Sequence, residues 1–498
     1  MSDLLSTHGP LPDPRHAPYL EALAALRDAN PGRYMVPGHL GGPFADEGFV
    51  AAAGAYALSF DLPPLIDGID AGPPPHPFQQ AQLLAAEAWG ARRTWFLSNG
   101  ASNGNHVALM TFAQSGRSRI VMQRNVHGSC IDGLILSGLE PFFVQPEVDH
   151  EMGIAHCVTP ESFDRALSEA GPELAGAVIV SPTYYGFAAD TEALVAVAHA
   201  HNVPLLIDEA WGSHFAFHPE LPIHATAAGA DLTNSSTHKM LGSLTQSAMI
   251  HLGGRLIDES TVDNSVRLVE STSPNALLGA SLDAARRRAV QDGRRLITES
   301  LAQLSGVRED LRKIPGVDVL DDREIGRHGI AGWDPFRVVI DLRQTGIEGT
   351  VFQRLLREED EILIELASAH AVVAIWGLGA GADERARFVQ AVHGALRRGQ
   401  AGNPGAHRDQ PIPLPAAGPT RLPPRAAFLS TRETVPLRSA IGRVAAQSLA
   451  VYPPGIPNVL PGEEITTAVV DYLEQAGERG HFIRGANDPG LTTIQVVR

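Results

Sequence analysis

Cysteine is almost absent. Cys130 and Cys157 are the only two in 498 residues, and they stand in no C-x-x-C or comparable spacing, which excludes a disulfide scaffold and argues against a cysteine-based metal or redox centre; no metal is expected. Apolar runs long enough for a membrane helix are missing as well. The opening MSDLLSTHGPLPDPRH has no basic stretch leading into an apolar one, so the chain reads as soluble and cytoplasmic, with no membrane partner. Positive charge is in deficit: 39 Lys and Arg stand against 56 Asp and Glu, a formal net charge of -17. That balance disfavours nucleic acid and anionic lipid and suits a cationic substrate, although an acidic surface also serves solubility alone. With 44% hydrophobic residues, the chain has the means to build a large domain with smaller attachments.

Residues 1–75 read as an N-terminal arm, with helical spacing from Tyr19 to Asp28 and then the Gly- and Pro-rich loops NPGRYMVPGHLGG and DLPPLIDGIDAGPPPHP. From residue 76 to 285 the pattern alternates between helix and strand. The helix AQLLAAEAWGA leads to the strand TWFL, and further strands are expected at 119–123, 141–144, 177–181 and 204–208. DTEALVAVAHAHN is one of the helices between them. Such alternation predicts an α/β large domain with a mainly parallel sheet. Ligands gather at the carboxyl ends of strands in such sheets, and there the polar groups SNGAS, SPTYYG and DEAWGSH follow their apolar runs. Residues 286–400 read as a smaller α/β domain, with strands PFRVVIDL and HAVVAIWGL. It is entered by a long helix from Ser281 to about Leu304, whose basic run Arg286 to Arg288 is expected to be a solvated face. Residues 401–425 are a Pro-rich linker. Residues 426–498 form a last module with helices near Arg438 to Ala450 and Glu464 to Gln475.

The chemistry-bearing segment is NSSTHKMLGSLTQSAMIH. A lysine within a hydroxyl-lined loop can bond an aldehyde while the hydroxyls hold a phosphate, although Lys239 in isolation also fits a surface position. Asp208 closes the apolar strand PLLID, so its carboxylate emerges at a strand end and needs a partner. A protonated pyridine nitrogen would supply one, and a plain N-cap is the other reading. Gly100, Ala101 and Ser102 precede the apolar helix VALMTFAQ, where backbone amides bind phosphate or simply cap a helix. His127 opens a helix after the strand RIVMQ; its imidazole can stack on an aromatic ring or serve an ordinary structural bond.

In the order G-A-S, R-N-x-H, D-E-A and H-K, these motifs resemble the Orn/Lys/Arg decarboxylase family. PGH at Pro37 to His39, SPTYYG, STSPNALLGASLDAARR and YPPGIPNVLPGEEIT extend the resemblance from about residue 15 to the C-terminus. It implies the PLP-dependent transferase fold of the aspartate aminotransferase type (fold type I) and pyridoxal 5'-phosphate as cofactor. It places Lys239 in a Schiff base with the cofactor, Asp208 on the pyridine nitrogen, His127 stacked on the ring and Ala210 beneath it. Gly100, Ala101, Ser102, Ser236 and His238 would hold the phosphate, and Lys239 or His238 would return a proton. Ser273 resembles the segment that lines the neighbouring subunit's site, which implies a homodimer or an assembly of dimers. Thr183 and Tyr184 fall at the site's edge or serve packing. Trp211 fills space near the pocket, and Glu463 or Glu464 would meet the substrate's distal cation or cap the following helix. Nothing before Pro37 is long enough for the N-terminal wing of the large inducible members, so the chain resembles the compact branch. The expected reaction is decarboxylation of a basic L-amino acid, arginine first, then lysine or ornithine, for polyamine synthesis. The alternatives are another lyase or an aminotransferase on the same fold, or a non-catalytic regulator that binds the cofactor.

Overall fold

The structure is a computed structural model that describes residues 12–63, 65–402, 412–452, 456–488 and 490–498. Its contacts divide the chain into two units, Met1–Gln114 with Asn202–Leu296 and Ser115–His201 with Ile297–Arg498. No described helix is long and apolar enough to cross a membrane.

In the first unit, the helices Pro18–Ala29 and Pro77–Ala88 both begin on proline, whose missing N–H is one that a helix start leaves unbonded anyway. The strand Leu205–Asp208 runs parallel to Leu232–Ser235, setting Asp208 opposite Asn234. Leu232–Ser235 pairs antiparallel with Ala248–Leu252, which pairs antiparallel with Arg93–Leu97. The reversal has a local cause. Between Ser235 and Ala248 the chain has room for only the four-residue helix Thr237–Met240, and a parallel return needs a full crossover helix. The expected solvated face of Arg286 to Arg288 holds for Arg288, which is 61% exposed and paired with Asp292. It fails for Arg286, whose side chain is fully buried on the helix Ala276–Arg312, 2.7 Å from Asp283. Arg286 also donates to the carbonyls of Pro14 and His16, and Asp283 accepts from Tyr19 N at 3.0 Å. The charge is buried because it fastens the N-terminal segment by otherwise unmet carbonyls.

In the second unit, the strand Arg119–Gln123 pairs in parallel with both Glu140–Val144 and Leu174–Val180. A separate antiparallel sheet joins Asp318–Leu320, Arg337–Asp341, Ala371–Ile375 and Leu366–Ala367, with the helices Gly349–Glu359 and Ala382–Gly402 in the same stretch of chain. Of the expected linker, residues 403–411 lie outside the described residues; so does part of YPPGIP, at 453–455. The helix expected near Arg438 to Ala450 is not formed. A 3-10 turn at Leu437–Ala440 gives way at Gly442, whose φ is +80°, and the chain extends into the strand Leu449–Tyr452. Val444 and Ala445 bridge to Glu464 and Val496, so pairing with distant strands overrides a locally helical sequence. The expected second helix is present as Thr467–Glu478, capped by Thr466.

The second unit also contains an acid-sensitive group. His156 is buried, its ring stacked on His328 at 5.3 Å and edge-on to Phe187 at 5.2 Å, and Nδ1 has no partner among the described residues. Burial, with His328 adding to it, pushes the imidazole down to about 4. The unfolded chain takes up this proton near pH 6.5 and the folded one only near 4, so stability is lost as pH falls through that window, by up to about 3 kcal/mol. His156→Phe is expected to flatten that loss, read as urea midpoints at pH 7 and pH 4.5; an unchanged acid response would remove His156 as its source.

Candidate active site

The candidate site is built in the first unit at the end of the strand Leu205–Asp208. Asp208 is 3% exposed. Its Oδ2 accepts from Asn105 Nδ2 at 2.9 Å and its Oδ1 from Ala210 N at 3.2 Å. Neither donor carries charge, so both orient the carboxylate without neutralising it. Asn105 is itself placed by Asn234, whose Nδ2 donates to Asn105 Oδ1 at 2.8 Å and to Ala101 O at 2.7 Å. This ladder accounts for a glycine in the loop SNGASNGNH: a Cβ at Gly104 would lie 2.1 Å from Asn234 Oδ1. The helix Gly100–Ala113 starts at Gly100 with φ +75°, a conformation glycine adopts at no steric cost. Glu270 fastens the approach to that helix, accepting from Ser98 N at 3.3 Å and from Asn103 Nδ2 at 2.6 Å.

Lys239 lies half-buried on the short helix Thr237–Met240. Its Nζ is 4.0 Å from the ring centroid of Trp211, on the turn that leaves Asp208. The chain has only two lysines. Lys313 is exposed and paired with Asp310, whereas the other 37 of the 39 Lys and Arg residues are arginine. A half-buried lysine in an arginine-rich chain is not there for surface charge. Lysine scarcity was a signal in the sequence that motif spacing did not use.

The loop around Lys239 is rich in buried hydroxyls. Ser236 is 2% exposed, and the hydroxyls of Ser235 and Thr237 are buried with no hydrogen-bond partner among the described residues. Buried hydroxyls without partners are costly, and a phosphate would satisfy them. Ser235 and Thr237, together with Asn105 and Asn234, are additions to the residues legible in the sequence. His238 Nδ1 donates to Ser247 O at 2.8 Å. Burial lowers its pKa below the ordinary imidazole value, opposed by the Ser247 bond and aided by the neighbouring Lys239 cation. Orphaned hydroxyls, an amine and an oriented carboxylate thus fit the phosphate, aldehyde and ring nitrogen of pyridoxal phosphate.

Behind the turn, His224 Nε2 lies 2.8 Å from Glu209 Oε2 with both side chains buried, and Ala225 N donates to Glu209 Oε1 at 3.0 Å. Burial raises the Glu209 pKa, with His224 opposing. Ser273 is exposed, its N–H bonded to Ser271 Oγ.

The other residues singled out from the sequence belong to the second unit. His127 caps the helix Gly128–Ser137, its Nδ1 accepting from Ser129 N at 3.2 Å. Thr183 Oγ1 accepts from Phe187 N at 3.3 Å, closing a turn that includes Tyr184. Glu463 and Glu464, considered for the substrate's distal cation, each pair with a cation of this chain. Glu463 is 3% exposed; its Oε2 accepts from Arg124 Nη2 and from Leu460 N, each at 2.9 Å. Glu464 is 2.8 Å from Arg421. The sequence could not show that Arg124, 339 residues away, claims Glu463.

Comparison with known proteins follows the same line. The model of the Orn/Lys/Arg decarboxylase major domain matches residues 17–384, and that of the Orn/Lys/Arg decarboxylase C-terminal domain matches residues 422–487. An arginine decarboxylase of Bacillus subtilis (strain 168) is 35% identical over 481 residues, covering 97% of this chain and 98% of that protein. Among solved structures, the E. coli constitutive lysine decarboxylase superposes with a TM-score of 0.81 at 21% identity, over 97% of this chain and 82% of that one. A serine palmitoyltransferase solved with PLP gives a TM-score of 0.51 at 15% identity, over 71% and 84%. These likenesses establish the expected fold class.

Proposed function

The chain belongs to the Orn/Lys/Arg decarboxylase family and is a decarboxylase on a pyridoxal-phosphate-dependent fold, and from that premise we propose that it releases carbon dioxide from arginine to give agmatine, with the cofactor joined to Lys239. The observation that carries this reading is the placement of Lys239 Nζ over Trp211, three residues after the oriented carboxylate of Asp208. Identity of 35% to an arginine decarboxylase over nearly the full length of both chains supports arginine over lysine, since the lysine decarboxylase superposed above is 21% identical.

When bound, pyridoxal phosphate supplies a cationic conjugated ring that accepts the electron pair left at the substrate's α-carbon. Asp208 would hold the proton on the ring nitrogen by a charge-assisted hydrogen bond, and Asn105 keeps its carboxylate aimed. The amides at Gly100, Ala101 and Ser102, with the hydroxyls of Ser235, Ser236 and Thr237, would hold its phosphate, and Ala210 would pack against its ring. Of the two candidates for returning a proton to the α-carbon, His238 is the poorer. Its Nδ1–H is committed to Ser247 O and burial disfavours its cation, which leaves the Lys239 ammonium.

A mass-spectrometric screen of purified protein over arginine, lysine and ornithine, scoring amine and keto acid separately, tests the reaction. Agmatine is expected as the main product. Cadaverine or putrescine in excess would move the substrate, and a keto acid would replace decarboxylation by amino transfer.

The enzyme acts in the cytoplasm as a homodimer. Support for the second copy comes from the first unit, where Tyr34, Phe44, Phe49, Tyr56 and Leu65, all within residues 34–65, are between 55% and 100% exposed, apolar side chains that a second copy would cover. Sedimentation showing monomer alone, or activity that fractionates with the cell envelope, would remove these two assignments.

A further inference from the structure

Trp211 is 8% exposed, and Lys239 Nζ stands 4.0 Å from its ring centroid. A cation over a desolvated indole face is held more strongly than one over an exposed ring. The turn that carries Trp211 is fixed from behind. Gly212 N donates to Glu209 O at 2.9 Å, Trp89 Nε1 donates to Ser213 O at 3.0 Å, and the Glu209 carboxylate is tied to Ala225 N and His224. A Cβ at Gly212 would lie 2.6 Å from Glu209 Cγ, so the indole is positioned before any cation arrives. The titratable groups on the two segments that meet here are Asp208, Glu209 and His214 on one and His238 on the other. Asp208 is held by Asn105, Glu209 by His224 and His238 by the Ser247 carbonyl.

We propose that Trp211 is a positioning residue that receives the Lys239 ammonium whenever the lysine is not joined to the cofactor, and holds it while the substrate occupies its place. The inference rests on the assignment of Lys239 as the attachment residue. Once the substrate's amine has displaced Lys239, the released amine takes up the proton that the incoming substrate ammonium gave up in order to attack, and the indole face favours –NH3+ over –NH2. After carbon dioxide has left its electron pair behind, one N–H bond of Lys239 breaks and a C–H bond forms at the α-carbon. The amine is then neutral, leaves the indole and can attack again.

The test follows covalent capture of pyridoxal phosphate by the full-length chain freed of cofactor, scored by mass after borohydride reduction, as a function of pH. Capture requires the neutral amine, which adds to the aldehyde carbon with loss of water, so the inflection of the rate reports the protonation of Lys239. Wild type, Trp211→Phe and Trp211→Leu are compared. With Leu the inflection is expected to move down by about half a pH unit or more, with Phe between the two, because a phenyl face holds a cation less well than indole. In the reconstituted enzymes kcat should fall in the same order at nearly constant KM. One inflection shared by all three proteins overturns the proposal. If the Leu variant does not fold, the Phe variant decides by the same shift. Covalent capture persisting in Lys239→Ala would instead overturn the assignment of Lys239, whatever Trp211 does.

Discussion

Lys239→Ala is expected to abolish the long-wavelength absorbance of the covalently held cofactor and to lower kcat by at least about three powers of ten, while leaving the protein folded. Two losses combine in that figure. The substrate must take up the cofactor without a preceding covalent link, and the proton returned to the α-carbon loses its donor, a contribution that by itself is on the order of 10²–10⁴-fold. Stability should change little, because the loss of the cation–π contact with Trp211 is offset by the removal of a half-buried ammonium. Melting curves measured beside the activity therefore separate a chemical role from a structural one. Retention of kcat within tenfold of wild type would mean that this amine is not part of the reaction.

Asp208→Asn is the second large effect, and it separates the two readings that Asp208 carries. As a capping residue it offers an oxygen to Ala210 N at 3.2 Å, a task asparagine performs equally well. As the partner of a protonated ring nitrogen it must supply a negative charge, which asparagine cannot. The substitution is expected to lower the urea midpoint modestly, because the new Nδ2 meets the Asn105 Nδ2 donor at a cost of about 1–3 kcal/mol, and to reduce kcat by roughly 10²–10³-fold, the scale on which one preorganised electrostatic contact is lost. Asp208→Glu keeps the charge but displaces it, and should recover part of the loss. A variant with full activity would leave only the capping role.

The legible part of the site is local in the chain. Lys239 follows its hydroxyls within four residues, Asp208 ends a strand recognisable from its own apolar run, and Gly100 opens a helix that the sequence places within a few residues. Each signal needs only a short window, because alternation of apolar and polar residues and the chemistry of a turn are written in neighbouring positions. The antiparallel return after Ser235 was hidden because the sequence shows a strand's existence better than its direction. The helix expected at Arg438 to Ala450 was misread for the opposite reason: Ala-rich spacing favours a helix, while bridges from Val444 and Ala445 to residues far along the chain hold it extended.

By itself, then, the sequence determined the family and the fold class, and it singled out the amine and the carboxylate of the candidate site. Tertiary structure decided how those groups are held. Asn105 aims Asp208 across 103 residues of chain, Asn234 places Asn105 across 129, and Arg286 reaches the carbonyl of Pro14 across 272. Tertiary structure also pairs Glu463 with Arg124 across 339 residues. The physical reason is that periodicity fixes which face of an element is apolar, whereas the partner of a buried polar group depends on which faces meet when the core closes, and the free energy of leaving such a group unmet is large enough to make that meeting specific.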